Sequence, residues 1–289
     1  MSEIIAYKDQ NNEYFDFEIE NSKPVRAKSD DALNIMRHDM AHVLAEAVIS
    51  IFPTAKPTIG PFIKNGFYYD FDMDSALSDD DINKIEGKIK EILNEGREFN
   101  KKVVSKDEAL NFFKDNKYKL ELINNLDNAA EITLYEQKNF TDLCKGPHHK
   151  STNEYEAHVK ITNVSGAYWR GISTNKMLQR VYATAWYSEK ELNKYLKNLE
   201  EAKERNHRRL GSDMGLFLLT DLSAGNVFWK DKGLTLYQNI EKYIRSEQKK
   251  LNYYEVKTPE LVSNELLVKS GHWDNFQENM FTSEKDNKT

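Results

Sequence analysis

The sequence is short of cysteine, of long apolar runs, of nucleotide-binding glycine motifs and of excess positive charge. Each shortage excludes something. Cys144 is the only cysteine among 289 residues. An intrachain disulfide and a cysteine-rich zinc module are thereby excluded, and a reducing, cytoplasmic location is expected. No apolar run approaches the about 20 residues that a membrane-spanning helix needs, so no membrane partner is expected. The opening MSEIIAYKDQNNEYF has neither a basic n-region nor an apolar h-region, and no signal peptide is expected. There is no Gly-x-x-x-x-Gly-Lys-Ser/Thr run and no Gly-x-Gly-x-x-Gly fingerprint, which argues against P-loop and Rossmann chemistry. Lys and Arg number 41 against 47 Asp and Glu, a net charge of −6. A nucleic-acid partner would therefore have to be met by a local patch, not by overall charge. Internal repeats and low-complexity tracts are also missing.

What is there is a soluble globular balance of 39% apolar and 30% charged residues, long enough for one large domain or two smaller ones. Residues 1–28 alternate loosely and allow a hairpin across Asp9–Asn12, but so short a stretch cannot bury a core alone. Ser29 reads as an N-cap, and Leu33, Met36, Met40, Leu44, Val48 and Ile51 follow at helical spacing until Pro53 and Pro57 end the run. Phe67–Met73 alternates as a strand. Ser78 opens a second helix, with Ile82, Ile85, Ile89 and Ile92 on one face and Gly96 as its stop. Phe99–Val104 reads as a strand, and Ser105-x-x-Glu108 as a capping box opening a helix to Asp115. Further strands are expected over Tyr118–Ile123, Ile132–Glu136, Ala157–Val164 and Leu178–Trp186. Helices among mixed strands without βαβ alternation predict an α+β domain, an antiparallel sheet with packed helices, over 29–187.

At Ser188 the texture changes. Residues 188–210 predict one linker helix of about six turns, polar on most sides. Its end sets Lys203, Arg205, Arg208 and Arg209 against Glu204 alone, which suits the helix dipole and, with other context, RNA. From 211 to 289 a second domain opens: a helix marked by Leu234, Tyr237, Ile240 and Ile244, a strand over Leu251–Val256, a helix over Leu261–Lys269, and a polar end, TSEKDNKT. With no visible sheet closure it reads as unfinished.

The sharpest constellation is His38-x-x-x-His42 with Cys144-x-x-x-His148. At about 100° per residue the first pair shares one face of the first helix, nearly opposite the apolar stripe. Gly146-Pro147 keeps the second pair on a loop. Three readings stay open from the residues alone. The four side chains form an acceptable zinc shell. They also suit a metal-free hydrolytic site, with a histidine as base to water and Asp142 for a substrate ammonium. Or each histidine is an ordinary satisfied side chain.

Read together, MRHDMAHVLAEAV, IGPFIKNGFYYDF, FTDLCKGPHH, VSGAYWRG, NKMLQRVYATAW, AKERNHRRLG, VFWKDKGLTL, YYEVKTPEL and KSGHWDNFQENMF resemble the bacterial threonyl-tRNA synthetases, in that family's order from residue 34 to 282. The resemblance implies an editing domain followed by the opening of a class II catalytic domain. It implies that His38, His42, Lys119, Cys144 and His148 are catalytic and that Tyr69 and Asp142 bind substrate. Related alanyl-type editing domains bind zinc with the same pattern; here the resemblance implies an editing site that needs no metal, with zinc on the four donors as the alternative. ATP and a threonine-binding zinc belong to parts of the complete synthetase further along. The partner implied is the aminoacylated 3′ end of tRNA. A homodimer is implied through a motif 1-like segment ending at Pro259, or association with a missing catalytic half. The family's usual ubiquitin-like opening is expected to be missing or vestigial, and the chain is not expected to make threonyl-tRNA by itself. The implied reaction is hydrolysis of seryl-tRNA(Thr). Serine lacks one methyl of threonine, worth about 1–3 kcal/mol or roughly 10–200-fold, too little for accurate selection by binding alone. Two rival functions are a freestanding zinc-dependent deacylase and a non-catalytic tRNA-binding or dimerising half of a split synthetase.

Overall fold

The computed structural model describes residues 3–127, 131–223 and 225–283; the polar end, 284–289, lies outside the described residues. The chain divides into two compact units, Met1–Lys203 and Glu204–Thr289.

In the first unit β1 (Ile4–Lys8), β2 (Tyr14–Phe15) and β3 (Lys23–Arg26) form a small antiparallel sheet in the order β2-β1-β3. It borrows its core: Ala6 and Val25 are buried with Ala32 and Ile35 of α1 (Asp30–Ile51). The Ser29 side chain accepts from the Ala32 N–H, and Asp30 and Asp31 sit in the first turn where the helix dipole favours them. After α1 come β4 (Lys56–Pro57), β5 (Phe62–Ile63) and β6 (Gly66–Asp72). Next is α2 (Asp79–Glu95), started by a capping box between Ser78 and Asp81 and buried along Ile85, Ile89 and Ile92. There follow β7 (Asn100–Val104), α3 (Lys106–Phe112), α4 (Lys117–Asn124), β8 (Ile132–Gln137), β9 (Phe140–Leu143), β10 (His158–Tyr168), β11 (Met177–Trp186) and α5 (Glu189–Glu204). Strands β10-β11-β6-β4 form one antiparallel sheet, with β5 also on β6, and β7-β8-β9 form another. Met40, Val43, Leu44 and Val48 of α1 join the isoleucines of α2 and Phe67, Tyr69, Phe71 and Val181 of the larger sheet in the main core. This mixture of helices and antiparallel strands is the expected α+β class.

Three local expectations are corrected. Tyr118–Ile123 is not a strand but most of α4: the Asn116 side chain accepts from the N–H groups of Tyr118 and Lys119 and starts a helix. YKLELI satisfies both periods, and the cap decides. The linker is not one helix. It breaks after Glu204, and Asn206 caps a new helix, α6 (His207–Asp213), by accepting from the Arg208 N–H. In the second unit, β12 (Phe217–Leu218) pairs with β13 (Phe228–Trp229), followed by α7 (Asp231–Lys250), α8 (Asn264–Lys269) and α9 (His272–Phe276). Leu251–Val256 is not a strand: among the described residues no strand pairs with it, and Tyr254 is 92% exposed. A strand is completed by its neighbour, and β-propensity alone does not make one. No helix among the described residues is long and apolar enough to cross a membrane.

Candidate active site

All seven site residues expected from the sequence lie in the first unit, and the structure draws them into two adjoining groups. The first group sits where α1 meets the loop after β9. His38 and His42 project from one side of α1, one turn apart, with ring centroids separated by 5.4 Å. The Cys144 Sγ lies 3.3 Å from His38 Nε2 and 3.3 Å from His148 Nε2. The His148 ring is 4.3 Å from His38 and 4.5 Å from His42, centroid to centroid, and stacks on Phe99 at 5.0 Å. The loop is pinned by backbone. The Cys144 N–H donates to the Thr133 carbonyl, the Gly146 N–H to Cys144 Sγ at 3.2 Å. Gly146 has φ +74°, and a Cβ there would collide with the Tyr135 hydroxyl, so this turn requires glycine.

The second group surrounds Asp142 of β9. Lys119 of α4 forms an ion pair with its Oδ1, and both side chains are almost fully buried. The Tyr69 hydroxyl donates to Oδ2 at 2.5 Å, the Leu143 N–H to Oδ1 at 2.8 Å. Lys119 Nζ also reaches the Tyr69 oxygen at 3.3 Å. The Tyr69 ring is fixed by stacking on Phe71 and by Gly60, where any Cβ would strike it. His42 joins the groups, its Nε2 4.0 Å from Asp142 Oδ2. Its Nδ1 is buried without a hydrogen-bond partner.

These contacts divide the ionisable groups. Burial alone would raise the Cys144 thiol, but the charges of His38 and His148 outweigh it and pull its pKa well below the ordinary value. For His148, burial opposes protonation; the Cys144 thiolate and the Asp39 carboxylate reverse this and push it up to about 10. His42 goes the other way: burial and the charge of His148 lower its pKa, so it is held neutral. Burial and the Asp142 charge raise the Tyr69 hydroxyl well above its usual value and keep it a donor.

Sequence reasoning missed the support beneath the site. Asp39 is fully buried and accepts from His148, His149 and Tyr155. Burial would raise its carboxyl, but the hydrogen bonds from His148 and His149 bring it down to about 2. Behind His42, Gln137 donates to the His42 carbonyl and to Glu46, and Glu46 pairs with buried Arg97. The available signals were the acid next to His38 and the His148-His149 doublet; the buried Glu46 had none.

One ligand atom from each of His38, His42, Cys144 and His148 lies within 4.8 Å of the others. A tetrahedral zinc would set N and S donors about 3.3–3.6 Å apart. The donor types and the two 3.3 Å distances at Cys144, with a carboxylate behind His148, suit such an ion, while the widest separation of 4.8 Å would have to close around it. Beside His38 opens a cleft of about 570 Å³, walled partly by Tyr14, Phe15 and Phe17 of the N-terminal strands, and by Phe62 and Lys145.

Residues 132–182 match the family described as the threonyl and alanyl tRNA synthetase second additional domain. This stretch holds β8, β9, the Cys144–His148 loop, β10 and half of β11. The chain is 46% identical to the threonine–tRNA ligase of Wolbachia pipientis subsp. Culex pipiens over 288 residues, covering 97% of this chain and 45% of that protein. It is 47% identical to the ligase of Ehrlichia chaffeensis over 295 residues, 100% of this chain and 46% of that protein. Against the ligase of Rickettsia akari it is 46% identical over 276 residues, 94% and 43%. The chain thus spans a little under half the length of the curated relatives it matches.

Proposed function

We propose that this chain, a homologue of the bacterial threonine–tRNA ligases along nearly its whole length, carries the part of such an enzyme that hydrolyses serine wrongly esterified to the 3′ end of threonine tRNA. One observation carries this reading: α1, β6, α4 and β9 with its following loop bring His38, His42, Cys144, His148, Tyr69, Lys119 and Asp142 around one point.

The chemistry follows from their states. An ester hydrolase needs a water, a neutral base, an acid and an anchor for the substrate's ammonium. His42, held neutral with a free nitrogen, accepts the water proton as the water oxygen bonds to the ester carbonyl carbon. Cationic His148 and Lys119 stabilise the charge that develops on the carbonyl oxygen. The carbon–oxygen bond to the ribose then breaks, and the proton passes to the leaving ribose oxygen. Asp142 holds the α-ammonium on the side facing His42, the widest gap in its contacts. The fixed Tyr69 ring makes the pocket unyielding, and the extra methyl of threonine is the basis of rejection. The 570 Å³ cleft beside His38 receives the terminal nucleoside. Self-association through α7 belongs to the same reading, since its Leu234, Tyr237, Ile240 and Ile244 stay exposed in this unit.

The donor spacing favours a second reading, a zinc-dependent deacylase. Zinc on His38, His42, Cys144 and His148 would supply a Lewis acid. Metal analysis of the purified protein separates the two: one zinc per chain supports the second, metal-free activity the first. The main reading is tested by His42→Ala and Asp142→Ala in single-turnover deacylation of seryl-tRNA with protein in excess. Each is expected to lose about 10²-fold or more, the scale of lost acid–base or anchoring help. Wild-type deacylation matched by both variants would place the site elsewhere.

A further inference from the structure

Asp39 belongs to none of the expected site residues, yet it is the most enclosed charge in the cluster, at 0% exposure in the middle of α1. A carboxylate so placed costs several kcal/mol unless its oxygens are satisfied. Among the described residues its ion-pair partners are two histidines, with no lysine or arginine. The His148 Nδ1 stands 2.7 Å from Oδ1, the His149 Nδ1 2.6 Å from Oδ2, and the Tyr155 hydroxyl donates to Oδ2 at 2.8 Å.

We propose that Asp39 is a positioning residue for the hydrolytic site: it accepts the His148 Nδ1–H and so holds the ring with Nε2 turned toward Cys144 and the reaction centre. An ionised carboxylate can only accept, so each imidazole must present an N–H to it. For His148 that leaves Nε2 as the atom facing Cys144 Sγ at 3.3 Å. A ring flip would exchange the two nitrogens and break the Asp39 bond. Two ring contacts oppose the flip, Phe99 stacked at 9° between planes and Tyr135 edge-on with its centroid at 4.5 Å. His149 does not touch Cys144. It and Tyr155 occupy Oδ2, so the carboxylate cannot rotate to offer that oxygen elsewhere. The doublet His148-His149 thus divides into one ring that faces the chemistry and one that locks the acid behind it. The kinetic half of this proposal rests on the ester-hydrolase reading; the tautomer half does not.

The test uses the full chain labelled with ¹⁵N at histidine. In the wild type the long-range ¹H–¹⁵N spectrum should show the His148 Nδ1 protonated, whether or not Nε2 is protonated too. Asp39→Asn can donate its amide N–H to Nδ1, so the proton should move to Nε2. In single-turnover deacylation of seryl-tRNA, the maximal rate of Asp39→Asn should fall about 10–100-fold while the protein concentration giving half-maximal rate changes less than about twofold. Tyr155→Phe, which leaves His148 on Asp39, should stay within a few-fold of wild type. A wild-type His148 bare at Nδ1 would overturn the proposal, as would an Asp39→Asn protein with wild-type tautomer and rate. If Asp39→Asn does not fold, the wild type still decides: a His148 Nδ1–H protected from exchange with water keeps the proposal, and a rapidly exchanging one overturns it. If the wild type fails to hydrolyse seryl-tRNA but shows Nδ1–H, the hydrolase reading fails and the orienting role of Asp39 stands.

Discussion

Replacing Lys119 with methionine should separate what the buried Lys119–Asp142 pair does for stability from what it does for chemistry. Methionine keeps the unbranched stem, one atom shorter, and removes the ammonium. Breaking a buried ion pair by deleting one partner typically costs about 3–5 kcal/mol, because the other charge is stranded. Here Asp142 retains the Tyr69 hydroxyl at 2.5 Å and the Leu143 N–H at 2.8 Å. Those bonds still support the carboxylate, each worth about 1.5–3 kcal/mol to a charged group, so the loss should fall near the lower end, about 3 kcal/mol. With a urea m-value of about 1–3 kcal/mol/M, the midpoint should drop by on the order of 1 M or more. Asp142→Asn added to Lys119→Met removes the stranded charge and should recover part of the loss, giving a coupling of about 2 kcal/mol in the double-mutant cycle. Deacylation should not recover, because both the cation and the ammonium anchor are then gone. Urea unfolding of the full chain followed by circular dichroism, with single-turnover rates on the same preparations, measures both. A Lys119→Met loss below about 1 kcal/mol, or a cycle additive within about 0.5 kcal/mol, would refute the reasoning.

Two further outcomes are expected. Glu46→Ala leaves buried Arg97 with Glu95 as its remaining carboxylate and Gln137 with the His42 carbonyl as its remaining acceptor, so it should cost about 1–3 kcal/mol in urea unfolding, and a cost under about 0.5 kcal/mol would contradict the role given to that network. Limited proteolysis should cut first near Arg205–Asn206, where the helix breaks in exposed backbone, and first cuts inside α1 or β6 would contradict the division into units.

Much of this molecule is legible in the residues because local signals and burial agree. Ser29 and Ser78 both cap helices whose apolar spacing then meets the core, and β6 forms where its sequence alternates, with Phe67, Tyr69 and Phe71 in the core. The His38/His42 and Cys144/His148 pairs stand out because a helical repeat and a loop-forming Gly-Pro fix their spacing. Lys119 is different. Its local pattern suits a strand, and only the family resemblance singles it out; its place on α4 depends on the Asn116 cap. Asp39 and Glu46 lie on a side of the first helix that, with Ile35, Ala45 and Ile49, reads as too apolar for plain solvent, but no local signal says that β8, β9 and the following loop bury both carboxylates. Such coverage is a tertiary fact with no local signature. The same holds for Leu251–Val256, whose β-propensity finds no partner strand among the described residues.

The central claim, that this chain discriminates by removing serine, is tested most directly by giving it the two esters side by side. Seryl-tRNA(Thr) and threonyl-tRNA(Thr) would be mixed separately with excess protein and followed through a single turnover against the uncatalysed rate. The account predicts rapid loss of the seryl ester and a threonyl ester hydrolysed at least about 10-fold more slowly, the least that one methyl in a shaped pocket should provide. Equal rates for the two esters, or a seryl ester no faster than without protein, would contradict it.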